Sequence, residues 1–394
     1  MWQTLNARRK PAMTISRIHT PLTERFGIDY PIFGFTPSQD VAAAISRAGG
    51  LGVLGCVRFN DPGELDEVLE WMHKNTDGKP FGVDVVMPAK IPTEGSKVDL
   101  DSMIPPEHRA FVERTLDDLG VPPLPDGQDR LNTGVLGWLH SVARSHVDVA
   151  MEHTRKYGQI KLIANALGSP PDDVIALAHE NGVAVAALAG ARDHALNHVA
   201  AGVDIVIAQG YEGGGHTGEV ASMVLWPEIV DAVGSAAPVL AAGGVGSGRQ
   251  LAAAIALGTQ GVWMGTYWLT AAEYNLGATT ESGPSTVQQA LLKATSRDTV
   301  RRRIYSGKPA RLLKTRWTDA WDDAGAPEPL PMPLQNLLVG EAHARISLAD
   351  DPDVVAMPAG QIVGRCNEIV PVADMIEDLV TEYAASIARL DGTL

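Results

Sequence analysis

Val203-Asp204-Ile205-Val206-Ile207-Ala208-Gln209-Gly210-Tyr211-Glu212-Gly213-Gly214-Gly215-His216-Thr217-Gly218 runs from an apolar segment straight into glycines set around one imidazole. The segment Val203 to Ala208 reads as a buried strand. Glycine adds nothing to a core and costs the most conformational entropy on folding, so the cluster predicts a sharp bend or a close backbone approach. His216 brings a side chain that titrates near neutrality.

Working outward, the same unit recurs. Apolar runs at Tyr30–Phe35, Leu51–Gly55, Phe81–Val86, Ile160–Ala164, Val183–Ala187, Val203–Ala208, Pro238–Ala242 and Gly261–Gly265 alternate with helical periodicities. Gly50, Gly182, Gly202 and Gly258 end the intervening helices, as left-handed C-caps do. Ser38–Ala48, a helix capped by Asp61-Pro62, one capped by Ser169-Pro170, Trp226–Val233 and Ser247–Leu257 are the clearer helices. Strands apolar on both faces are parallel strands covered by helices. Eight such units predict an α/β fold, a (β/α)8 TIM barrel, with an open doubly wound sheet as the alternative.

Two stretches break the rhythm. Pro88 to about Gly137 is rich in proline and charge, and predicts an insertion at about 88–145 after strand three. Residues 276–355 predict a smaller, mainly helical domain covering the barrel, which itself spans 14–275. A C-terminal segment, 356–394, returns to the barrel through the amphipathic helix Ala373 to Leu390.

Composition narrows the function. Of 394 residues 45% are hydrophobic and 20% charged, which supports a large core. The net charge of −15 argues against a general nucleic-acid or anionic-membrane binder, because phosphate affinity needs clustered Lys and Arg. No apolar run approaches membrane-spanning length. Cys56 and Cys366 show neither disulfide nor zinc spacing, so a cytoplasmic protein is expected. Met1 to Ile15 lacks an apolar core and reads as a disordered leader, not a secretory signal.

Barrel active sites lie at the C-terminal strand ends, and phosphates often bind after strands seven and eight. Gly243-Gly244 follows strand seven and Met264-Gly265-Thr266 strand eight, next to a helix N-terminus at Ser247. Their backbone amides suit a phosphate. Gly244-x-Gly246-x-Gly248 is a near miss to the dinucleotide fingerprint, but it comes after the seventh strand, where a Rossmann fold would place it first. His216 falls on the same face. Asp84, ending strand three, is either a hydrogen-bond partner for a ring or ribityl hydroxyl or an exposed loop acid. Glu212 is offered as a helix cap or surface acid.

Together these residues resemble the nitronate monooxygenase (2-nitropropane dioxygenase) family, FMN-dependent barrels related to flavin-dependent enoyl reductases. Ala208–Gly218 resembles its AQG-x-E-x-GGH-x-G motif, and Ala48-Gly49-Gly50-Leu51-Gly52 its AGGLG segment. Ala242-Gly243-Gly244-Val245 and Met264-Gly265-Thr266 resemble its phosphate loops, and Ser306–Arg311 and Ala359-Gly360-Gln361 its second domain and C-terminal return. The chain departs from it at Gly34-Phe35-Thr36-Pro37, where the family has Pro-Met, and at Asp84, where it has Asn.

The resemblance implies FMN, with Gly34, Phe35, Asp84, Gln209, Gly210, Gly214, Gly215, Gly243, Gly244, Met264, Gly265 and Thr266 around it. His216 would be catalytic, facing the flavin's reactive side. It implies oxidation of a nitronate or nitroalkane with O2. The alternatives are NAD(P)H-driven reduction of an enone or enoyl thioester, or a barrel that binds a phosphate ligand without redox chemistry. A small-molecule substrate and a possible homo-oligomer complete the expectation, with no metal, nucleic acid or membrane.

Overall fold

The computed structural model of the chain describes residues 17–87, 100–125, 140–276 and 283–393. The expected leader and residues 88–99 and 126–139 of the expected insertion after strand three lie outside these residues. Eight parallel strands close a barrel: β1 (Ile32–Thr36), β2 (Leu51–Gly55), β3 (Phe81–Val85), β4 (Ile160–Asn165), β5 (Ala184–Ala189), β6 (Ile205–Gln209), β8 (Val239–Ala242) and β9 (Gly261–Met264). Phe33↔Trp263 in the β1–β9 register completes the ring. A further short strand, β7 (Gly215–His216), lies outside it. The barrel is therefore closed, and the open-sheet alternative falls.

Alternation along each strand sorts the residues. Phe33, Leu51, Val53, Leu162, Ala186, Ile207, Leu240 and Trp263 fill the interior. α1 (Pro21–Phe26) plugs the N-terminal mouth, with Phe26 edge-on to Phe33 at 5.5 Å. Toward the other mouth the inward residues shrink to Gly55, Ala164 and Ala242, so the interior widens there.

The outer ring holds α2 (Gln39–Arg47), α3 (Pro62–Asn75), α5 (His140–Tyr157), α6 (Asp172–Glu180), α7 (Arg192–Ala200), α8 (Ser222–Val233) and α9 (Gly248–Ala256); α4 (Pro106–Leu119) lies in the insertion. Asp61 caps α3 as expected, and Ser38, expected as the first helical residue, is instead the cap of α2. Ser169 does not cap α6; its hydroxyl instead meets His198 Nδ1 at 2.8 Å. α8 starts four residues before the expected Trp226, because the Glu212 carboxylate accepts the Ser222 amide and hydroxyl at 2.9 and 2.8 Å.

After β9 come α10 (Thr286–Lys293), the hairpin β10 (Thr299–Arg302) and β11 (Ala310–Leu313), α11 (Arg316–Ala320), α12 (Leu334–Leu348) and α13 (Val372–Asp391). α13 packs between α9 and α2 as the eighth barrel helix. Residues 304–354 share one core with α4: Phe111, Val112 and Leu116 pack with Ile304, Trp317, Trp321, Leu338 and Ile346. β11 also pairs with β7, tying this cover to the barrel loop.

A close backbone approach holds α13 in place at Gly248, where a Cβ would lie 2.0 Å from the Leu379 carbonyl. Rigid backbone cannot step aside, so Gly248→Ala should cost about 1–3 kcal/mol, as overpacking does. A lowered thermal midpoint would show it; an unchanged midpoint would mean that α13 is free to shift.

Candidate active site

The loop after β6 is held from several sides. Gln209 Nε2 donates to the Gly214 carbonyl at 3.1 Å. Gly210 lies against Ser222, where a Cβ would meet its Oγ at 2.1 Å, and Gly214 against Gly360, whose amide N a Cβ would approach to 2.8 Å. The Gln361 amide donates to the Glu212 carbonyl at 2.9 Å. Arg311 is buried and donates from Nε and Nη2 to the Tyr211 carbonyl at 3.2 and 3.1 Å. Its guanidinium also lies 4.6 Å from the Tyr211 ring centre, with Arg301 at 5.3 Å from the same ring. Glu212 is thus a helix cap, the first of its two expected roles.

This clamp sets His216 in β7, opposite Ala310 of the hairpin, with Gly215 opposite Arg311. His216 Nε2 lies 2.5 Å from Ser306 Oγ. Ser306 Oγ also accepts the Lys308 amide at 3.3 Å, which leaves its own proton for the imidazole. Tyr305 meets His216 edge-on at 6.5 Å and stacks on His343 at 5.1 Å. Burial, with Lys308 adding repulsion, pushes the His216 imidazole down to about 4, and burial alone does the same to His343.

The other expected positions divide by the direction they face. Phe35 points inward, stacked on Trp263 at 6.2 Å and lying against Gly55 and Gly265. Asp84 also points inward and is buried, not an exposed loop acid. Gly34 faces outward, where a Cβ would strike Ile45 Cδ1 at 2.4 Å, and the Met264 side chain lies in the outer core. These two can offer only backbone to the mouth. Gly243 and Gly244 have φ of +93° and +74°, a left-handed turn that side chains resist. Among the described residues no acceptor takes the amides of Gly243, Gly244, Gly265 or Thr266. Thr266 Oγ1 accepts the Gly360 amide at 2.8 Å. The amides of Gly246 and Gly248 are already taken, by Gln250 Oε1 at 3.0 Å and Glu382 Oε2 at 2.9 Å, so the α9 terminus itself is occupied.

The nitronate monooxygenase family model matches residues 19–382. The chain belongs to the nitronate monooxygenase family. It is 45% identical to a Mycobacterium tuberculosis protein described as a monooxygenase, over 95% of this chain and 99% of that protein. A probable nitronate monooxygenase of Staphylococcus aureus is 27% identical over 86% of this chain and 90% of its own length. FabK from Thermotoga maritima superposes with a TM-score of 0.70 at 27% identity, covering 96% of this chain and all of FabK. The nitroalkane oxidase of Streptomyces ansochromogenes superposes with a TM-score of 0.74 at 24% identity, over 94% of this chain and all of that one, and so shares the fold. As a family member the chain is an oxidoreductase. Among the described residues no helix is long and apolar enough to cross a membrane.

Sequence reasoning did not single out Ser306, Tyr305, His343 or Arg311 as site residues. One signal lay in plain view: residues 297–316 hold eight Lys and Arg but one acid, in a chain of net charge −15. Lys308 there is exposed.

Neutral buried imidazoles make a pH prediction. Their folded pKa lies below the unfolded value of about 6.5, so their contribution is full above that pH and is lost as pH falls toward 4. Urea unfolding should therefore show stability falling between about pH 7 and about pH 5. His343→Leu should flatten that slope; an unaltered slope would show that His343 is charged or exposed.

Proposed function

We propose that this protein binds FMN at the C-terminal mouth of the barrel and oxidises an anionic nitronate, with dioxygen as electron acceptor. The observation that carries the reading is His216, a neutral imidazole bonded to Ser306 beside a glycine cradle of unclaimed amides and beneath a basic hairpin.

The residues present fit the cofactor. The Gly243, Gly244, Gly265 and Thr266 amides suit a phosphate, since converging N–H groups bind anions without a counter-charge. Asp84 and Gln209 face the widened mouth, and Phe35 supplies an apolar wall. When bound, the isoalloxazine supplies the two-electron acceptor that no side chain here provides. The reading takes the cofactor as noncovalent, and both cysteines are buried.

The chain's own part is positioning and electrostatics. A general base works best with a pKa near the operating pH, and an imidazole near 4 is a weak one. That favours a nitronate, already deprotonated, over the neutral nitroalkane. Ser306 holds His216 in the tautomer whose other ring N–H donates to a nitro oxygen, and Tyr305 and His343 wall the site. Lys308 and its basic neighbours attract the anion toward them.

Anaerobic titration tests the reading. A nitronate should bleach the purified yellow protein while NAD(P)H should not; the reverse result would favour enone or enoyl thioester reduction, and a colourless protein the binding-only barrel. His216→Asn should retain flavin and lower kcat by about 10²-fold, the scale of losing one hydrogen-bond donor to the reacting oxygens. For the anion, kcat/KM should fall with added salt, and Lys308→Met should lower it about fivefold and weaken the salt dependence. A neutral nitroalkane should feel neither change.

A further inference from the structure

The mouth of the barrel holds an acid, Asp84, with no hydrogen-bond partner among the described residues. Phe81, Val83 and Val85 of β3 face the outer core, so Gly82 and Asp84 face inward. The position of Gly82 supports this, because a Cβ there would touch the interior side chains of Leu162 and Val53. Asp84 is 4% exposed, and its register partners, Gly55 and Ala164, carry no polar side-chain atoms. Asn165, one residue further along β4, is spent: its Oδ1 accepts the Met87 amide, and its Nδ2 donates to the Met87 and Gly168 carbonyls. Among the described residues, no side chain or amide hydrogen-bonds the Asp84 carboxyl, and no cation pairs with it.

We infer that Asp84 is carried as a neutral carboxylic acid and donates its proton in a hydrogen bond to an acceptor atom of the bound flavin. The inference rests on the flavin reading above for the acceptor, and on the barrel alone for the protonation state. An ionised carboxylate in this setting would be a buried charge without a partner among the described residues, which a side chain avoids by keeping its proton. The neutral acid has one O–H to place and needs only an acceptor.

The surroundings agree. Burial holds the Asp84 carboxyl well above the usual carboxylate range. The titratable neighbour is Cys56, whose buried thiol is itself pushed up, partly by Asp84. Arg58 lies beyond Cys56 and is engaged elsewhere: it donates to Gln39 Oε1 at 2.7 Å and covers the Phe59 ring at 4.1 Å. Asparagine would offer a donor of similar shape from the same place, so neutral Asp84 and Asn are interchangeable in geometry, whereas ionised Asp84 is not.

Three measurements test this, two of them without cofactor. Infrared spectra of the flavin-free protein at neutral pH should contain the C=O stretch of a protonated carboxyl that is missing from Asp84→Asn; carboxylate bands alone would overturn the neutral acid. Stability gives the second. A raised folded pKa means that the folded state keeps a proton the unfolded chain releases. Its contribution is full below the unfolded pKa and is lost as pH rises through the folded one. The thermal midpoint of flavin-free Asp84→Asn should therefore exceed that of the wild type by a margin that widens from about pH 5 to about pH 8. A constant margin would count against protonation. Flavin titration gives the third: Asp84→Asn should bind FMN nearly as the wild type does, and Asp84→Ala about tenfold more weakly. Equal affinity for Asp84→Ala overturns the contact. Failure of every variant and the wild type to bind flavin overturns the contact and the flavin reading together, while the infrared band and the stability margin still decide the protonation state.

Discussion

The carboxylate of Glu212 on the first amide of α8 is the constraint on which the candidate site depends. It ties the middle of the glycine loop to the helix that follows it, and so fixes where the loop turns. The close approaches of Gly210 to Ser222, Gly214 to Gly360 and Gly218 to Gly190 are possible only with the loop in that place. Arg311 holds the same loop from the other side. Its charge is buried without a carboxylate partner among the described residues, and is stabilised by a carbonyl and an aromatic face instead. A carboxylate there would neutralise the guanidinium, and with it part of the positive field over His216.

Charge and burial then divide the labour. The mouth of the barrel is apolar and glycine-lined, with backbone amides and one acid that have no partner among the described residues. The wall above it is aromatic and keeps two imidazoles neutral. The rim outside that wall is basic. An anion moving inward would pass from a solvated positive rim to a desolvated neutral pair, which binds through hydrogen bonds and not through charge.

The barrel was legible in the sequence because each of its strands is apolar on both faces and each follows a glycine-terminated helix or a tight turn. Local rules were enough for the Asp61 cap. They failed at Ser169, where a neighbouring histidine claims the hydroxyl, and at the start of α8, whose cap comes from ten residues upstream. The hairpin was missed because Thr299–Arg302 is half-buried and strongly charged, without the alternation that marks a strand, and its partner β7 is two residues inside a glycine run. The shared core of Phe111 and Trp317 joins segments some two hundred residues apart, which no local pattern can announce. Ser306 sat within a segment quoted for its resemblance, yet its contact with His216 exists only through the β11–β7 pairing.

The order of elements after β9 has a consequence for how the molecule is made. The eighth helix of the barrel, α13, is also the last helix of the chain, and the whole cover is threaded between it and the strand it serves. A ribosome therefore cannot release a closed barrel before it has made the cover. Until α13 emerges, α9 and α2 lack the neighbour that packs between them, and the cradle after β8 and β9 is borne by an incomplete ring. A shortened product that loses α13 loses support at the cradle as well as at the surface.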